Sequence, residues 1–122
     1  MKRILLLACV IVLSILVLSA CSGGPSLSAD KTDVKTGEAI NVTWKAPGSY
    51  AKNAWIGIIP ASIPHGSEAE NDKHDLTYQY LGGKTSGVFT FSAPKKKGSY
   101  DFRMHDTDSG GKEVASVTFT VK

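Results

Sequence analysis

The residues with the clearest chemical potential lie in one segment, residues 60–76, called the insertion below. It holds His65 and His74 together with four acidic residues, between turn-forming prolines and glycine. Imidazole and carboxylate groups suit zinc or copper, so His65, His74 and Asp75 form a candidate loop metal site. Their spacing matches no compact zinc motif, and histidines on a surface loop need no metal to explain them. Both interpretations stay open.

The insertion is also a candidate binding surface. It is long for a hairpin loop, so it is either functional or a simple surface insertion. The tyrosines that follow it are candidate exposed aromatic side chains, although they could instead pack on one strand face. The candidate surface comprises His65, Glu68, Glu70, Asp72, His74, Asp75, Tyr78 and Tyr80.

A second acidic stretch, residues 106–110, resembles the start of a calcium-binding loop. Gly110 stands where an oxygen ligand is expected, and Val117 occupies the twelfth position, where such loops need an acid. Aspartate, serine and glycine are also common turn residues, so the pattern favours a polar turn.

No arrangement of residues indicates catalysis. The sequence lacks the Gly-x-Ser-x-Gly of a nucleophile elbow, the His-Glu-x-x-His of zinc proteases and a phosphate-binding loop. The histidines and aspartates of the insertion have no nucleophile with them, and covalent or acid–base catalysis needs positioned groups. The sequence therefore predicts a protein that is not an enzyme, with no catalytic residues and no cofactor.

The N-terminal segment carries the signals of export. Two basic residues precede an apolar run at residues 4–18, which is too short to predict a membrane-spanning helix. The next residues, Leu18-Ser19-Ala20-Cys21, resemble the lipobox of bacterial lipoproteins at all four positions. The resemblance implies a signal peptide at residues 1–20 and lipidation of the Cys21 thiol with fatty acyl chains such as palmitate. The alternative is an ordinary secretory leader with an incidental cysteine.

Lipidation would hold the protein at a membrane. Each buried methylene contributes about 0.8 kcal/mol, so one acyl chain binds marginally and two or three bind stably. Residues 21–26 then form the lipidated cysteine and a short tether. We expect a bacterial membrane-anchored lipoprotein, at the outer membrane facing the periplasm in a diderm, or on the outer face of the cell membrane in a monoderm.

Cleavage would leave one small domain. Removing residues 1–20 from the 122-residue chain leaves 102 residues, enough for a single packed core. Of the 14 lysines and arginines, 12 remain against 11 acidic residues, a balance that argues against nucleic acid as a partner. Cys9 lies in the leader and Cys21 carries lipid, which excludes disulfides and cysteine-ligated zinc from the domain.

From residue 27 onward, short alternating runs separated by turn residues are typical of an all-β sandwich. Seven strands are predicted, at residues 27–34, 40–45, 54–59, 77–81, 88–92, 100–105 and 115–121. The third is a continuous apolar run, which indicates a central strand buried on both faces. Trp44 and Trp55 alternate inward and are expected in the core. The predicted fold is a seven-stranded Ig-like β-sandwich at residues 27–122, after a cleaved N-terminal signal helix.

The Ig-like assignment comes from a resemblance to immunoglobulin-like and fibronectin-type domains. Tyr100, two residues after Gly98, stands at the place of the tyrosine-corner residue, and Phe102 stands at that of the second cysteine of antibody domains. Residues 53–60 and 98–103 are similar to the Ig-like modules beside purple acid phosphatase catalytic domains and to SKICH-type modules. The chain departs from them at Ile59, where those modules often have tyrosine. The resemblance implies a non-catalytic attachment or interaction module.

The alternation of strand direction predicts where the loops meet. The loops at residues 47–53 and 106–111 should share the end nearest the lipid. The insertion should share the far end with the turn at residues 94–98, placing the lysines of that turn near its acidic residues. His105 should then be remote from both histidines of the insertion.

These observations predict the general kind of function but do not identify a ligand. We expect a non-catalytic, membrane-anchored envelope module that binds a protein or glycan partner through the insertion, with no nucleic acid involved. The alternative is a metal-binding envelope protein that uses His65 and His74 on the loop 60–76.

Overall fold

A computed structural model describes residues 24–122. The predicted signal peptide, the lipidation site Cys21 and the first part of the tether lie outside these residues. Within residues 24–122, no helix has the length and apolar character needed to cross a bilayer.

The described chain is all-β, with two sheets compatible with the predicted β-sandwich. In chain order the elements are β1 Ser26–Ala29, β2 Asp33–Val34, β3 Ala39–Lys45, β4 Trp55–Pro60, α1 Glu68–Asp72, β5 Thr77–Tyr80, β6 Ser86–Ser92, β7 Gly98–His105 and β8 Glu113–Val121. One sheet has the order β1-β3-β6 and the other the order β2-β8-β7-β4-β5. The β2–β8 pair is parallel, and the other pairs are antiparallel.

The predicted number of seven strands is wrong, since residues 24–122 form eight. The first predicted strand divides between the sheets, with β1 beside β3 and β2 beside β8. Where the chain crosses, the Asp30 carboxylate accepts hydrogen bonds from the main-chain N–H and the side-chain amide of Asn41, at 2.9 and 3.1 Å. The other six predicted strands agree with the structure to within about two residues at each end.

The hydrophobic core lies between the two sheets. Alternate residues of β3 point into it, including Trp44, whose predicted place in the core is confirmed. From the facing sheet, Phe102 stacks on Phe119 with ring centroids 4.6 Å apart and meets Phe91 of β6 at 5.3 Å. Burying each such ring contributes about 1.5–3 kcal/mol, so these aromatic contacts hold the two sheets together.

The central strands β4 and β7 of the five-stranded sheet are buried on their outer face as well. β4 is covered on both faces, as predicted, because Ile56 and Ile58 join the core while the residues between them face outward. Trp55 therefore lies outside the core between the sheets, and its predicted place there is wrong. It is buried instead on the outer face, beneath the insertion.

The insertion covers this outer face, and the prediction that it stays at the far end is wrong. It begins at the far end, where the Ala61 N–H donates to the Ser99 carbonyl at 3.1 Å. It then folds back along the sheet, so that the Glu68 N–H donates to Gly111 in the loop after β7, at 3.2 Å. The lysines of residues 95–97 precede β7 and lie at the opposite end of that strand, away from α1.

The short helix α1 ends the folded-back part of the insertion. Ser67 caps it, with its hydroxyl oxygen accepting a hydrogen bond from the Glu70 N–H at 3.2 Å. Serine followed three residues later by glutamate is the capping-box pattern, so the sequence carried a signal for this helix.

Candidate functional site

Two polar clusters lie on the outer face of the five-stranded sheet. The first, called the buried ion network, comprises His65, Asn71, Asp101, Arg103, His105 and Glu113. The second, called the aromatic–acidic pocket, is lined by Trp55, Asp72, Asp75, Tyr78, Tyr80 and Asp108, with Glu68 beside it.

Arg103 is the centre of the buried ion network and is fully buried. Its Nε and Nη2 donate to the same oxygen of Asp101, at 3.0 and 2.8 Å, and its Nη1 donates to the Asn71 amide oxygen at 2.7 Å. Its Nη2 also donates to the Ile63 carbonyl at 2.8 Å. The guanidinium therefore ties the insertion to β7 and has its charge matched by an adjacent carboxylate.

Asn71 connects the other members of the network. Its Nδ2 lies 2.9 Å from His105 Nε2 and 2.9 Å from Glu113 Oε1. Because an amide nitrogen donates, His105 Nε2 accepts, and its ring proton sits on Nδ1. His65 contacts Glu113 through Nδ1 and lies 3.4 Å from Asp101 through Nε2. His65 and His105 therefore belong to one network, and the prediction that they are remote is wrong.

The network shifts the pKa of two of its members, His105 and Glu113. Burial lowers the pKa of His105 to about 4, so the ring is neutral at pH 7. Burial by itself would raise the pKa of Glu113. Hydrogen bonds from His65, Asn71 and the Gly66 N–H overcome that effect, and the pKa of Glu113 lies below its ordinary value. The network is thus a set of opposite charges paired within the protein.

The aromatic–acidic pocket is a cavity of about 140 Å³. Trp55 and Tyr80 place it at the end of the sheet where β4 begins and β5 ends. Tyr78 and Tyr80 are 49% and 46% exposed, and their rings meet edge to face with centroids 5.2 Å apart. The Trp55 indole completes the aromatic wall, with its centroid 6.2 Å from that of Tyr78.

Two hydrogen-bonded carboxylates form the acidic side of the pocket. The buried Glu68 accepts from Trp55 Nε1 at 2.9 Å with one oxygen, and from the Gly110 N–H at 2.8 Å with the other. The Tyr80 hydroxyl donates to Asp108 at 2.8 Å, and this hydrogen bond raises the pKa of Tyr80. The loop after β7 and the insertion are therefore both fixed to the aromatic wall.

The carboxylates of the pocket form no ion pair with a basic group among the described residues. Oxygen atoms of Glu68, Asp72 and Asp108 all lie within 4.8 Å of one another, and Asp75 lines the same cavity. In the part of the chain that the structure describes, no lysine, arginine or histidine lies within 4.0 Å of these four carboxylates. Burial, reinforced by neighbouring aspartates, raises the pKa of both Glu68 and Asp75.

The predicted surface residues divide among three places. Five meet in or beside the aromatic–acidic pocket: Glu68, Asp72, Asp75, Tyr78 and Tyr80. His65 belongs to the buried ion network. Glu70 and His74 lie outside both clusters and face each other at 3.5 Å. The predicted metal set is not brought together, and between residues 24 and 122 the only three-residue set of suitable donors is Glu68, Asp72 and Asp108.

Sequence reasoning missed the residues that line these clusters from β4 and β7. Trp55 was assigned to the core by strand alternation, and Asp108 to a polar turn. A signal was present in β7, where Asp101, Arg103 and His105 alternate with apolar residues. Three polar residues on one face of a central strand indicate that another segment covers them.

No protein-family model matches this chain, and no curated protein matches it in sequence. The functional proposal therefore depends on the geometry and charge of the two clusters.

Proposed function

We propose that the protein is a membrane-anchored lipoprotein of the bacterial cell envelope. Its Ig-like domain binds a cationic side chain of a partner protein in the aromatic–acidic pocket. One observation carries this proposal: three aspartates and three aromatic rings line one cavity with Glu68 beside it, and none of these four carboxylates has a basic partner among the described residues.

The chemistry of the pocket suits an organic cation. An ammonium or guanidinium group within about 6 Å of an aromatic centroid gains roughly 0.5–2 kcal/mol from the ring, most over tryptophan. Asp72 and Asp75 can add charge-assisted hydrogen bonds. A bound cation would also oppose the neighbouring negative charges that help to raise the pKa of Asp75.

A divalent metal is the second candidate. The close oxygen atoms of Glu68, Asp72 and Asp108 favour it, because all-oxygen ligand sets suit calcium or magnesium. Against it, both Glu68 oxygens already accept hydrogen bonds, and aromatic rings supply no ligand to a hard metal. The alternative metal site at His65 and His74 is less favoured, because each imidazole contacts different carboxylates.

Three features support the Ig-like part of the proposal. The sheets have the strand orders β1-β3-β6 and β2-β8-β7-β4-β5, with β3 and β7 central in them. The Tyr100 hydroxyl donates to the Lys96 carbonyl at 2.7 Å, which is the hydrogen bond of a tyrosine corner. Phe102 lies between the sheets, where antibody domains place their inter-sheet disulfide.

The position of the tether supports a role close to the membrane. Ser26 begins β1 opposite Lys45 at the end of β3, so the tether meets the domain at the end where the chain then enters β4. Trp55 and Tyr80 of the pocket lie at that same end. Four residues separate Cys21 from Ser26 and can span at most about 18 Å when fully extended, so a lipid on Cys21 would hold the pocket near the bilayer surface.

Binding can be measured with the fluorescence of Trp55. In the Trp44→Phe variant, Trp55 is the remaining tryptophan and reports on the pocket. The ligands are Nα-acetyl-lysine methylamide and Nα-acetyl-arginine methylamide, with the uncharged norleucine analogue as control. We expect a saturable change with the two cationic ligands, weakening as salt rises, and no change with norleucine.

Matched substitutions locate the site. The double variant Asp72→Asn/Asp75→Asn should weaken binding by about tenfold or more, because both carboxylates face the cation. Asp33→Asn removes an exposed acid at the opposite edge of the sheet, 3.4 Å from Lys122, and should leave binding unchanged. Saturable binding of calcium chloride with no response to either cationic ligand would contradict the organic-cation proposal and favour the divalent site.

A further inference from the structure

The pocket lies beside an open sheet edge. β5 is the terminal strand of the five-stranded sheet and pairs only with β4 among the described strands. Its four residues contain no proline and no charged residue, and its pairing with β4 shows no bulge. β5 is short, but it therefore lacks the proline, the charged side chains and the bulges that protect many edge strands from pairing with another chain.

The register shows which main-chain groups of β5 point outward. The Leu81 N–H donates to the Ala54 carbonyl at 2.8 Å, so this pair is hydrogen-bonded. In an antiparallel ladder, bonded and non-bonded pairs alternate. Tyr80 and Tyr78, opposite Trp55 and Gly57, are then the non-bonded positions, and their N–H and C=O groups point away from β4.

The same two residues supply the pocket wall. Tyr78 and Tyr80 present their side chains to the pocket and their main-chain groups to the open edge. A chain that paired with these groups would place every second side chain on the pocket face. Directly opposite residues of adjacent strands have Cβ atoms about 4.5–5.5 Å apart.

We propose that the partner contributes an extended basic segment that adds antiparallel to β5 as a further strand and places a lysine or arginine in the pocket. This inference rests on the proposed function and names the form of its ligand. Charge complementarity selects the occupant, because the uncompensated carboxylates lie beside the strand that would be extended. Pairing of β5 with β5 of a second copy would bring two such pockets together, and their like charges would repel.

We choose the antiparallel direction from the strands nearest to β5. β5, β4, β7 and β8 pair antiparallel, and the parallel pair β2–β8 lies at the opposite edge of the sheet. In an antiparallel addition, the residues opposite Tyr78 and Tyr80 both hydrogen-bond to β5 and point their side chains to the pocket. The basic residues of the segment are therefore also the residues whose N–H groups are bonded.

Because the basic residues are also the hydrogen-bonded ones, N-methylation can test strand addition. The affinity of the peptide acetyl-Thr-Lys-Thr-Lys-Thr-Lys-Thr-amide is measured with the purified full-length protein in detergent. One derivative is N-methylated at the lysines and a second at the internal threonines. We expect lysine methylation to weaken binding by about tenfold or more, because the N–H groups that donate to the Tyr78 and Tyr80 carbonyls are lost. Threonine methylation should change affinity by less than about threefold, since those N–H groups face solvent.

Hydrogen exchange gives a second readout. On binding, the amides of Tyr78 and Tyr80 should gain protection, whereas that of Gln79, already bonded to β4, should change little. Equal affinity of the two methylated peptides, or no binding of the parent peptide by protein that binds Nα-acetyl-lysine methylamide, would overturn strand addition and leave the pocket proposal standing. Failure to bind both the peptide and the lysine ligand would overturn the two proposals together.

Discussion

The buried ion network and the aromatic–acidic pocket lie on the same face of the five-stranded sheet, but only the network pairs its carboxylates with basic groups. In the network, Arg103 lies 2.8 Å from Asp101 and 3.6 Å from Glu113, so acidic and basic groups meet inside the protein. In the pocket, carboxylates face one another with no basic group close by among the described residues. The first cluster balances its charges within the protein, whereas the carboxylates of the second have no basic partner in the described part of the chain, and the cation that we propose would balance them.

The difference separates a structural role from a binding role. Buried charges destabilise a fold unless they are paired and hydrogen-bonded, and the network meets this condition with Arg103 bonds of 2.7–3.0 Å to Asn71 and Asp101. In the pocket, the buried Glu68 is hydrogen-bonded but has no basic partner within residues 24–122, and Asp72 and Asp108 are exposed and half-buried. Unpaired charge of this kind is expected at functional sites. Trp55 joins the two clusters, because its ring stacks on His105 at 3.8 Å and its N–H donates to Glu68.

The largest effect should come from removing the centre of the network. Arg103→Met would leave Asp101 and Glu113 buried without their cation, and we expect the free energy of unfolding to fall by about 3–5 kcal/mol. Urea denaturation measures this loss. Lys84→Met, at an exposed lysine, is the matched control and should change stability by less than about 0.5 kcal/mol.

Removing Asp101 together with Arg103 tests whether the network has a structural role. The double variant Asp101→Asn/Arg103→Met should be less destabilised than the sum of the single variants, because the two residues compensate each other. Strict additivity, or a loss below about 1 kcal/mol for Arg103→Met, would contradict a structural role for the network.

The acid side of the stability profile should depend on His105. Its pKa is about 4 in the folded protein and about 6.5 in an unfolded chain, so between these values the unfolded state binds the extra proton. Stability is therefore fully present above pH 6.5 and falls as the pH drops towards 4, by on the order of 3 kcal/mol in total. Urea denaturation across this range should show the slope.

His105→Gln should flatten that slope, because glutamine does not titrate. The pocket acts in the opposite direction: Asp75 has a raised pKa, so the folded state binds protons more readily than the unfolded state as the pH falls through its titration. In Asp75→Asn, the free energy of unfolding should therefore fall more steeply as the pH drops. An unchanged slope in His105→Gln would show that other groups control the acid range.

A substitution at Gly57 should affect both clusters through Trp55. A Cβ atom at position 57 would lie 2.6 Å from the Trp55 ring and 2.9 Å from the Thr77 carbonyl, so the indole or β5 must shift. We expect Gly57→Ala to lower the free energy of unfolding by about 1–3 kcal/mol and to weaken lysine-ligand binding. Gly48→Ala, whose Cβ would meet only Thr85 at 3.8 Å, is the control. Unchanged binding in Gly57→Ala would argue against Trp55 as a wall of the site.

The strands could be predicted from the sequence, but the path of the insertion over the sheet could not. Alternation located the strands, because side-chain period is a property of adjacent residues. The same alternation placed Trp55 in the core, since burial beneath the insertion cannot be distinguished from burial between sheets by period alone. The path of the insertion depends on contacts such as Arg103 to Asn71, 32 residues apart, which no local pattern encodes. The acidic residues that the insertion gives to the pocket and the two tyrosines were found by composition, without their geometry, whereas Asp108 was missed.

The smallest effect should distinguish a shaped pocket from a generally acidic surface. Glu70 and Asp72 lie on the same helix and carry the same charge, but Glu70 sits 3.6 Å from Lys73 and 3.5 Å from His74, outside the pocket. Glu70→Gln should change stability by less than about 0.5 kcal/mol and leave lysine-ligand binding unchanged, because exposed ion pairs contribute little. Asp72→Asn should weaken binding severalfold. Equal loss in both variants, measured by Trp55 fluorescence, would mean that long-range attraction to net negative charge explains binding. Unequal loss would mean that the cation is held by the carboxylates that line the cavity.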